Sequence, residues 1–257
     1  MLNAEWPAQD YAVGSYIQAT IADHLLSSLQ LKPTDDVLDI GCGDGNYTRK
    51  ILDKVPQGSV LGIDASENML SLAQDVCKDY SNFAVQKNNV LDMSYTNQFD
   101  QVVSFWCLQW ATDIKKAFTN IVRALKPGGQ IFTIFPAGDD PYIMAYYAIK
   151  ESGKFASLRH FEAPVDYKEL NNLATNLANI PCKRINVDLI EESLVLPNLE
   201  IFKKFVNGIA FYQGQISNSE IKLINEAMVN WYEKKCQEYW QGIYKFNLSL
   251  YLVTGEK

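Results

Sequence analysis

Three glycines stand at alternate positions directly behind a short apolar run, in the segment VLDIGCGDGNYTRK. Gly41, Gly43 and Gly45 can take positive φ values and let the backbone come close to a ligand. A helix that begins directly after them offers unpaired N–H groups and a positive partial charge, which favour a carboxylate or a phosphate. Asp39 precedes the first glycine and Asp64 ends the next apolar run, so two carboxylates complete the predicted site.

The glycine spacing distinguishes between two classes of nucleotide ligand. A dinucleotide fingerprint carries glycine at its first, third and sixth positions, whereas Asn46 occupies the sixth position here. Asp64 can accept hydrogen bonds from both hydroxyls of an adenosine ribose, and Asp39 can meet an ammonium group directly or through water. A ligand with an ammonium group, a carboxylate and an adenosine ribose is S-adenosylmethionine, which therefore fits the pattern better than NAD.

Strand-like and helix-like patterns alternate up to Pro136, and this alternation predicts how the glycines are positioned. The apolar runs that predict strands are residues 36–40, 59–64, 82–88, 99–106 and 130–135. The periodic segments that predict helices are residues 46–55, 66–80 (with Ser66 as the N-cap) and 113–125. Such alternation predicts right-handed crossovers and a parallel sheet covered on both faces. Ligands bind such a sheet at the carboxyl ends of its strands, where the glycines fall.

The pattern changes after Pro136. The predicted elements there are an aromatic-rich helical stretch at 141–160, a helix at 166–177, a long strand or bent pair at 183–196, helices at 198–213 and 217–240, and an alternating strand at 246–256 that closes the sheet. Ser217 and Glu220 form a possible capping box for the second of the late helices.

The segments VLDIGCGDG, GIDASENML and FDQVVSFWCLQW resemble the class I S-adenosylmethionine-dependent methyltransferases, strongly over residues 10–137 and weakly beyond. The resemblance implies an α/β fold: a Rossmann-like, seven-stranded, mostly parallel sheet with an antiparallel last strand and a helical insertion after strand 5. It also implies one methyltransferase domain over residues 1–257. A donor-binding core would span residues 30–137, and a helical acceptor-side cap would span residues 138–180 and 198–240.

The resemblance also assigns residues to the donor, S-adenosylmethionine. It places the methionine end at Asp39, Gly41, Cys42 and Gly43, the ribose at Asp64, and the adenine against Ala65, Ser66 and Met69. The backbone of Ser104 and Phe105 would border the donor at the end of the fourth strand, and Tyr11 either caps the donor site or packs. Cys42 is interpreted as a small buried residue, not a nucleophile.

One donor contact departs from the family pattern. Such enzymes usually show an acid followed by an aliphatic residue after the third strand, and the acid accepts a hydrogen bond from the adenine amino group. Here Asn89 and Val90 occupy these positions. An asparagine can still accept through its side-chain carbonyl. Asp92, three residues later, is the alternative.

The motif CLQW resembles a narrower group that esterifies carboxylic acids, which includes trans-aconitate, juvenile hormone acid and malonyl-acyl-carrier O-methyltransferases. The segment YAVGSYIQ resembles the N-terminal part of the juvenile hormone acid enzymes. This match implies that Gln18 and Trp110 are the catalytic residues that hold the acceptor carboxylate. The alternatives are that Gln18 lies on a helix surface and that Trp110 packs in the core.

The acceptor class follows from the same resemblance. A carboxylate is already ionised at pH 7 and needs no general base, whereas a phenol or an amine would need one. Aromatic residues of the insertion suggest an apolar pocket, and thus an apolar carboxylic acid as the small-molecule acceptor: Tyr142, Tyr146, Tyr147 and Phe155. The open alternatives are a methyltransferase for a phenol, amine or carbon acceptor, and a donor-binding protein without turnover.

The composition argues against several other functions. The chain has 257 residues, 47% of them apolar, which allows a sizeable core. Its net charge of −7 argues against nucleic acid and anionic membrane as partners, because both need clustered Lys and Arg. The five cysteines form no CxxC pair, so we expect no metal site, no disulfide framework and a reducing, cytoplasmic location. We also expect no signal peptide and no membrane span.

Overall fold

The computed structural model describes the backbone of residues 8–165 and 167–257, and their side chains apart from residues 8–15, 22, 168 and 169. The strands are β1 (Asp36–Ile40), β2 (Ser59–Asp64), β3 (Phe83–Lys87), β4 (Phe99–Phe105), β5 (Leu125–Pro136), β6 (Arg184–Val195) and β7 (Lys245–Glu256). The α-helices are α1 (Ala8–Leu26), α2 (Asn46–Leu52), α3 (Glu67–Val76), α4 (Ile114–Ala124), α5 (Pro141–Glu151), α6 (Tyr167–Leu170), α7 (Leu173–Leu177), α8 (Leu199–Gly208) and α9 (Asn218–Trp240). Two short 3₁₀ helices span Leu108–Trp110 and Ala156–Arg159.

The strands form one seven-stranded sheet in the order β3-β2-β1-β4-β5-β7-β6. Strands β1 to β5 pair in parallel, and β7 pairs antiparallel with both β5 and β6. The predicted α/β fold class, with a mostly parallel sheet and an antiparallel last strand, is confirmed. The last strand does not lie at the edge, because β6 pairs along the outer side of β7 and forms the edge there.

The helix α4 shows why these segments adopt their structure. Asp113 caps its N-terminus, since Oδ1 accepts a hydrogen bond from the Lys116 N–H at 2.8 Å. Ala117, Phe118 and Ile121 are buried at helical spacing and face the sheet. Burial of a side chain such as Phe118 contributes roughly 1.5–3 kcal/mol, so the apolar stripe holds the helix on the sheet.

Helices cover both faces of the sheet, as the alternation predicts. Buried residues of α1, α2, α5, α8 and α9 form one apolar cluster, and buried residues of α4 and α7 belong to a second. The insertion after β5 therefore packs mainly on the first face, above the carboxyl end of β1. None of the helices in the described part of the chain is long and apolar enough to cross a membrane.

One predicted element needs correction, and one open alternative is decided. The helix predicted at 166–177 is broken into α6 and α7. Asn171 and Asn172 lie at the break, and asparagine favours turns and helix caps over helix interiors. The segment predicted at 183–196 as a long strand or bent pair is the single strand β6.

Candidate active site

The glycine turn after β1 is hydrogen-bonded to the end of β2. Gly41, Gly43 and Gly45 have φ values of 71°, 55° and 83°, which only glycine adopts without strain. The Gly41 N–H donates to the Ile63 carbonyl at 2.7 Å. A Cβ atom at Gly41 would lie 2.2 Å from Cys107 Sγ, so a side chain there would collide with the segment after β4. The turn is thus a cradle in which backbone, not side chains, faces a ligand.

Asp64 joins the two turns that follow β1 and β2. Its Oδ2 accepts from the Gly43 N–H at 3.1 Å, and its Oδ1 accepts from the Ser66 N–H at 2.9 Å. An ionised carboxylate has about four acceptor positions, so it can accept from several donors at once, and Asp64 also lines the cavity described below. The carboxylate therefore supports the glycine turn and can also contact a ligand.

Asp39 is a buried carboxyl group beneath the turn. Its Oδ2 accepts from Thr48 Oγ1 at 2.7 Å, and the residue is only 1% exposed. Burial raises the pKa of Asp39 to about 7; the hydrogen bond from Thr48 opposes the rise, and the charge of Asp64 adds to it. A cationic ligand group near Asp39 would reverse this effect by favouring the ionised form.

A cavity of about 1070 Å³, part of it open to solvent, extends from the glycine turn to the insertion. It lies at the carboxyl ends of the parallel strands, where α/β sheets bind ligands. The predicted donor residues that line it are Gly41, Gly43, Asp64, Ala65, Met69 and Phe105. Gln18 and Trp110 line the same cavity. The structure thus brings the predicted donor and acceptor residues to one space.

Trp110 is positioned by the turn that leaves β4. Trp106 adopts φ 60° there, an unusual value for a non-glycine residue, and its N–H donates to the Ile134 carbonyl at 2.8 Å. The short helix Leu108–Trp110 then places the Trp110 ring 6.3 Å, centroid to centroid, from the Phe211 ring. Trp110 is partly buried at the cavity wall.

Gln18 reaches the cavity from α1. The Tyr47 hydroxyl donates to the Gln18 carbonyl at 2.9 Å, and the Tyr47 ring stacks on Phe105 with centroids 5.0 Å apart. These contacts connect α1 to the end of β4. Gln18 is therefore not a free surface residue, although its role toward an acceptor stays a prediction.

Six predicted donor residues with described side chains do not line this cavity: Asp39, Cys42, Ser66, Asn89, Val90 and Ser104. Ser66 caps α3, since its Oγ accepts from the Met69 N–H at 3.3 Å. Ser104 is fully buried, and its Oγ donates to the Ile40 carbonyl at 2.8 Å. Cys42 and Asp39 line an adjoining depression, which shares Gln18, Gly41 and Gly43 with the cavity. Burial raises the pKa of the Cys42 thiol well above its usual range, so the thiol stays neutral. Tyr11 lies in α1, but its side chain falls outside the described residues.

The structure places Asn88 and Asn89, the residues around the predicted adenine contact, differently. A small cleft beside Asp64 and Ala65 is lined by Asn88 and Val90. Asn89 is absent from this lining, and its Oδ1 accepts from the Leu91 N–H at 3.0 Å within its own turn. The alternative, Asp92, is exposed and lies 4.0 Å from Lys116 Nζ. Asn88 is therefore the polar side chain that the structure places at this cleft.

The apolar wall of the cavity differs from the predicted one. Of Tyr142, Tyr146, Tyr147 and Phe155, the cavity includes only Tyr142. Tyr146 packs against Phe211 with ring centroids 5.0 Å apart, and Tyr147 is 45% exposed. Aromatic and aliphatic residues of α8, the following loop and β7 form the rest of the wall: Phe205, Ile209, Phe211, Phe246 and Leu248.

Asp140 and Gln109 are polar cavity residues that the sequence patterns do not single out. Asp140 caps α5, with Oδ1 accepting from the N–H groups of Tyr142 and Ile143 at 2.9 and 3.2 Å. Burial raises the pKa of Asp140 to about 6, which the two backbone hydrogen bonds oppose and the charge of Asp139 increases. Gln109 donates to the Trp106 carbonyl at 2.9 Å, and its buried Oε1 has no hydrogen-bond partner. The helix-cap pattern Asp-Pro at 140–141 was a usable signal for Asp140.

A family model described as a methyltransferase domain matches residues 37–129. The chain is 27% identical to juvenile hormone acid O-methyltransferase of Drosophila melanogaster, over 74% of this chain and 68% of that protein. It is 27% identical to malonyl-[acyl-carrier protein] O-methyltransferase 2 of Ilyobacter polytropus, over 83% of this chain and 80% of that protein. A shorter match, 34% identical, covers 41% of this chain and 44% of demethylmenaquinone methyltransferase of Staphylococcus carnosus.

A solved structure shares the fold. Phosphoethanolamine N-methyltransferase 2 of Haemonchus contortus, in complex with S-adenosyl-L-methionine, has a TM-score of 0.57 and 19% identity, over 92% of this chain and 52% of that chain. The chain spans about half the length of several curated relatives that it matches. The match of residues 37–129, the relatives and the fold support a class I S-adenosylmethionine-dependent methyltransferase domain, with S-adenosylmethionine as the cofactor.

The residues present fit this cofactor. The turn has no room for a side chain at Gly41 and a positive φ at Gly43, which suits a ligand held against the backbone itself. Asp39 supplies a negative charge for an ammonium group, and Asp64 supplies acceptors for ribose hydroxyls. Val90 and Asn88 would border the adenine.

The raised pKa of Asp39 predicts a pH dependence of cofactor binding. The carboxyl is protonated below about pH 7 in the free protein, and a cationic ligand group favours the ionised form. Affinity should therefore rise with pH up to about 7 and level off above it, with at most a tenfold change per pH unit. Calorimetry at several pH values, in buffers of different ionisation enthalpy, measures both the affinity and the proton release.

Asp39→Asn should bind more weakly and lose this pH dependence below pH 7. Asp36→Asn is the matched control, because Asp36 lies at the opposite end of the same strand and pairs with Lys126. Identical pH profiles for the native protein and Asp39→Asn would show that Asp39 does not titrate on binding.

Proposed function

We propose that this protein transfers a methyl group from S-adenosylmethionine to a carboxylate oxygen of a small-molecule acid. The observation that carries the proposal is the shared cavity: Gln18 and Trp110 line the same space as Gly41 and Asp64. An acceptor held by the first pair would thus lie next to a cofactor held by the second.

The two side chains suit a carboxylate acceptor. When bound, S-adenosylmethionine supplies an electrophilic methyl group on a sulfonium. The Gln18 amide and the Trp110 indole donate N–H groups to the acceptor carboxylate and direct one of its oxygens toward that methyl. No proton has to be removed, because carboxyl groups titrate near pH 4. His24 and His160 lie outside the cavity, so neither is placed as a base.

Catalysis by these residues is positioning and exclusion of water. Correct placement of two reactants can supply roughly 7–11 kcal/mol of the barrier. The apolar wall of Phe205, Phe211 and Phe246 would displace water from the reacting groups. The proposed domain consists of a donor-binding core at 30–137 and an acceptor-side cap at 138–180 and 198–240. Residues of both parts line the cavity, and β7 contributes as well.

The relatives support an acid as the acceptor. The juvenile hormone acid and malonyl-[acyl-carrier protein] enzymes are named as O-methyltransferases, and they match over 68% and 80% of their lengths. The predominantly apolar wall favours an acid with an apolar body over a small polycarboxylate.

One observation favours a second candidate function. Asp140 lines the cavity as a carboxyl with a pKa of about 6, which suits a general base near neutral pH. A phenol or amine acceptor could transfer its proton there. We prefer the carboxylate acceptor because Asp140 already serves as the N-cap of α5 and because the match to Gln18 and Trp110 concerns acid-specific enzymes.

Labelled methyl transfer distinguishes the two candidates. With a panel of carboxylic acids, phenols and amines, we expect label in a product that mild base hydrolyses, as a methyl ester would be. We expect Asp140→Asn to retain ester formation, because an asparagine still caps the helix and no base is needed. Label only in base-stable products, together with loss of turnover in Asp140→Asn, would establish the second candidate instead. Cofactor binding without any transfer would indicate a protein without turnover.

A further inference from the structure

The cavity has a polar end in the insertion, formed by the first residues of α5. Asp140 and Tyr142 line the cavity there and are 6% and 3% exposed. Tyr167 of α6 lines it beside them. The proposed transfer of a methyl group to a carboxylate uses none of these three residues, so their polar atoms require another explanation.

Phe211 connects this polar end to the proposed carboxylate site through ring contacts. Its ring centroid lies 6.3 Å from that of Trp110 and 5.6 Å from that of Tyr142, with interplanar angles of 67° and 85°. Trp110 and Tyr142 therefore both contact one aromatic ring of the cavity wall. An acceptor held by Trp110 at one end can extend along Phe211 and reach Tyr142 with its other end.

Two groups at the polar end can still form hydrogen bonds. The Tyr142 hydroxyl is buried and has no hydrogen-bond partner, and such buried unpaired groups are uncommon and costly in native proteins. Asp140 uses Oδ1 for both of its bonds to the start of α5, so Oδ2 is not engaged by the helix. The pair offers one donor and one acceptor to a bound molecule.

We propose that the acceptor acid carries a hydroxyl group at the end distant from its carboxylate, which donates to Asp140 and accepts from Tyr142. This inference rests on the proposed carboxylate acceptor. An ammonium group can donate to both oxygens but leaves the Tyr142 O–H proton without an acceptor, a ketone has no proton to donate to Asp140, and a second carboxylate would be repelled by an ionised Asp140. A hydroxyl both donates and accepts, so it matches the pair.

The test compares acids that differ only in this hydroxyl. Medium-chain alkanoic acids and their ω-hydroxy counterparts of the same length are assayed for methyl ester formation with the full-length protein. A site that hydrogen-bonds a substrate hydroxyl discriminates strongly against the analogue without it. We expect the hydroxy acid to have a kcat/KM at least about 10-fold higher than its counterpart at the best chain length.

Variants identify the residues responsible. Tyr142→Phe and Asp140→Asn should each reduce the ratio of the two kcat/KM values about 10-fold or to unity. The matched control is Tyr212→Phe, since Tyr212 is also a buried tyrosine beside Phe211 but bonds to Met228 Sδ at 3.2 Å and does not line the cavity. The ratio should be unchanged in this control.

The failures of the two proposals are distinguishable. If no acid yields a base-labile ester, the carboxylate acceptor itself is wrong. If acids are esterified but the plain and hydroxylated acids react equally well, the polar end does not bind a hydroxyl. An unchanged ratio in both Tyr142→Phe and Asp140→Asn would equally overturn the inference.

Discussion

Asp64→Ala is expected to reduce the affinity for S-adenosylmethionine about 100-fold, equivalent to ~3 kcal/mol. The proposed contact of this carboxylate with the ribose hydroxyls would be lost, and the hydroxyls would be left without their acceptor. The substitution also removes the acceptor of the Gly43 and Ser66 N–H groups, at 3.1 and 2.9 Å, so the glycine turn loses a support. Isothermal calorimetry with the purified variant measures the affinity.

Asp92→Ala is the matched control for Asp64→Ala. Asp92 is exposed, lies 4.0 Å from Lys116 and lines neither the cavity nor the small cleft beside Ala65. Its removal should leave the affinity unchanged within about twofold, since an exposed ion pair contributes little. Native affinity in Asp64→Ala would remove Asp64 from the cofactor site. A strong loss in Asp92→Ala would instead assign the adenine contact to Asp92.

The donor half of the site was predictable because local sequence determines it. Gly41 and Gly43 can adopt the positive φ values that the turn shows, and Asp64 ends a short apolar run whose flanking turn residues predict a strand. Strand ends of a parallel sheet meet at one edge, so sequence positions 23 residues apart could be assigned to one site. The contact of Asp64 with Gly43 shows that they do meet.

The adenine contact shows the limit of this reasoning. Asn88 and Asn89 are identical residues in adjacent positions, and a shift of one residue at the end of a strand turns a side chain to the other face. The backbone after β3 places Asn88 at the cleft and uses Asn89 Oδ1 within the turn. Sequence spacing alone does not contain this distinction.

The acceptor half depends on contacts between distant segments. Phe205 of α8, Phe211 of the following loop and Phe246 of β7 line the cavity, although they lie far along the chain from Trp110. Tyr146 resembles Tyr142 in sequence, being one helical turn later, yet it is buried against Phe161 and Phe211. Which aromatic residue faces a cavity and which faces the core is decided by tertiary packing, not by periodicity.

Trp110→Phe is expected to lower kcat for ester formation about 100-fold. Loss of one positioned donor to a reacting oxygen typically costs 10²–10³ in rate, and the phenyl ring still packs beside Phe211 without the indole N–H. The affinity for S-adenosylmethionine should change by no more than about twofold, because its proposed contacts Gly41 and Asp64 are unchanged. Single-turnover kinetics with the acid identified in the labelling experiment, together with calorimetry, separates the two quantities.

Trp231→Phe is the control for loss of an indole in general, because Trp231 packs against the core and lies outside the cavity. Gln18→Leu should also reduce kcat. In the double variant, the increase in activation free energy should be smaller than the sum of the two single increases, since both groups hold one carboxylate. Equal rates for native protein and Trp110→Phe would show that Trp110 only packs against Phe211. If the two increases in activation free energy add strictly, Gln18 and Trp110 act on separate groups of the substrate. One carboxylate would then not be held between α1 and the short helix after β4.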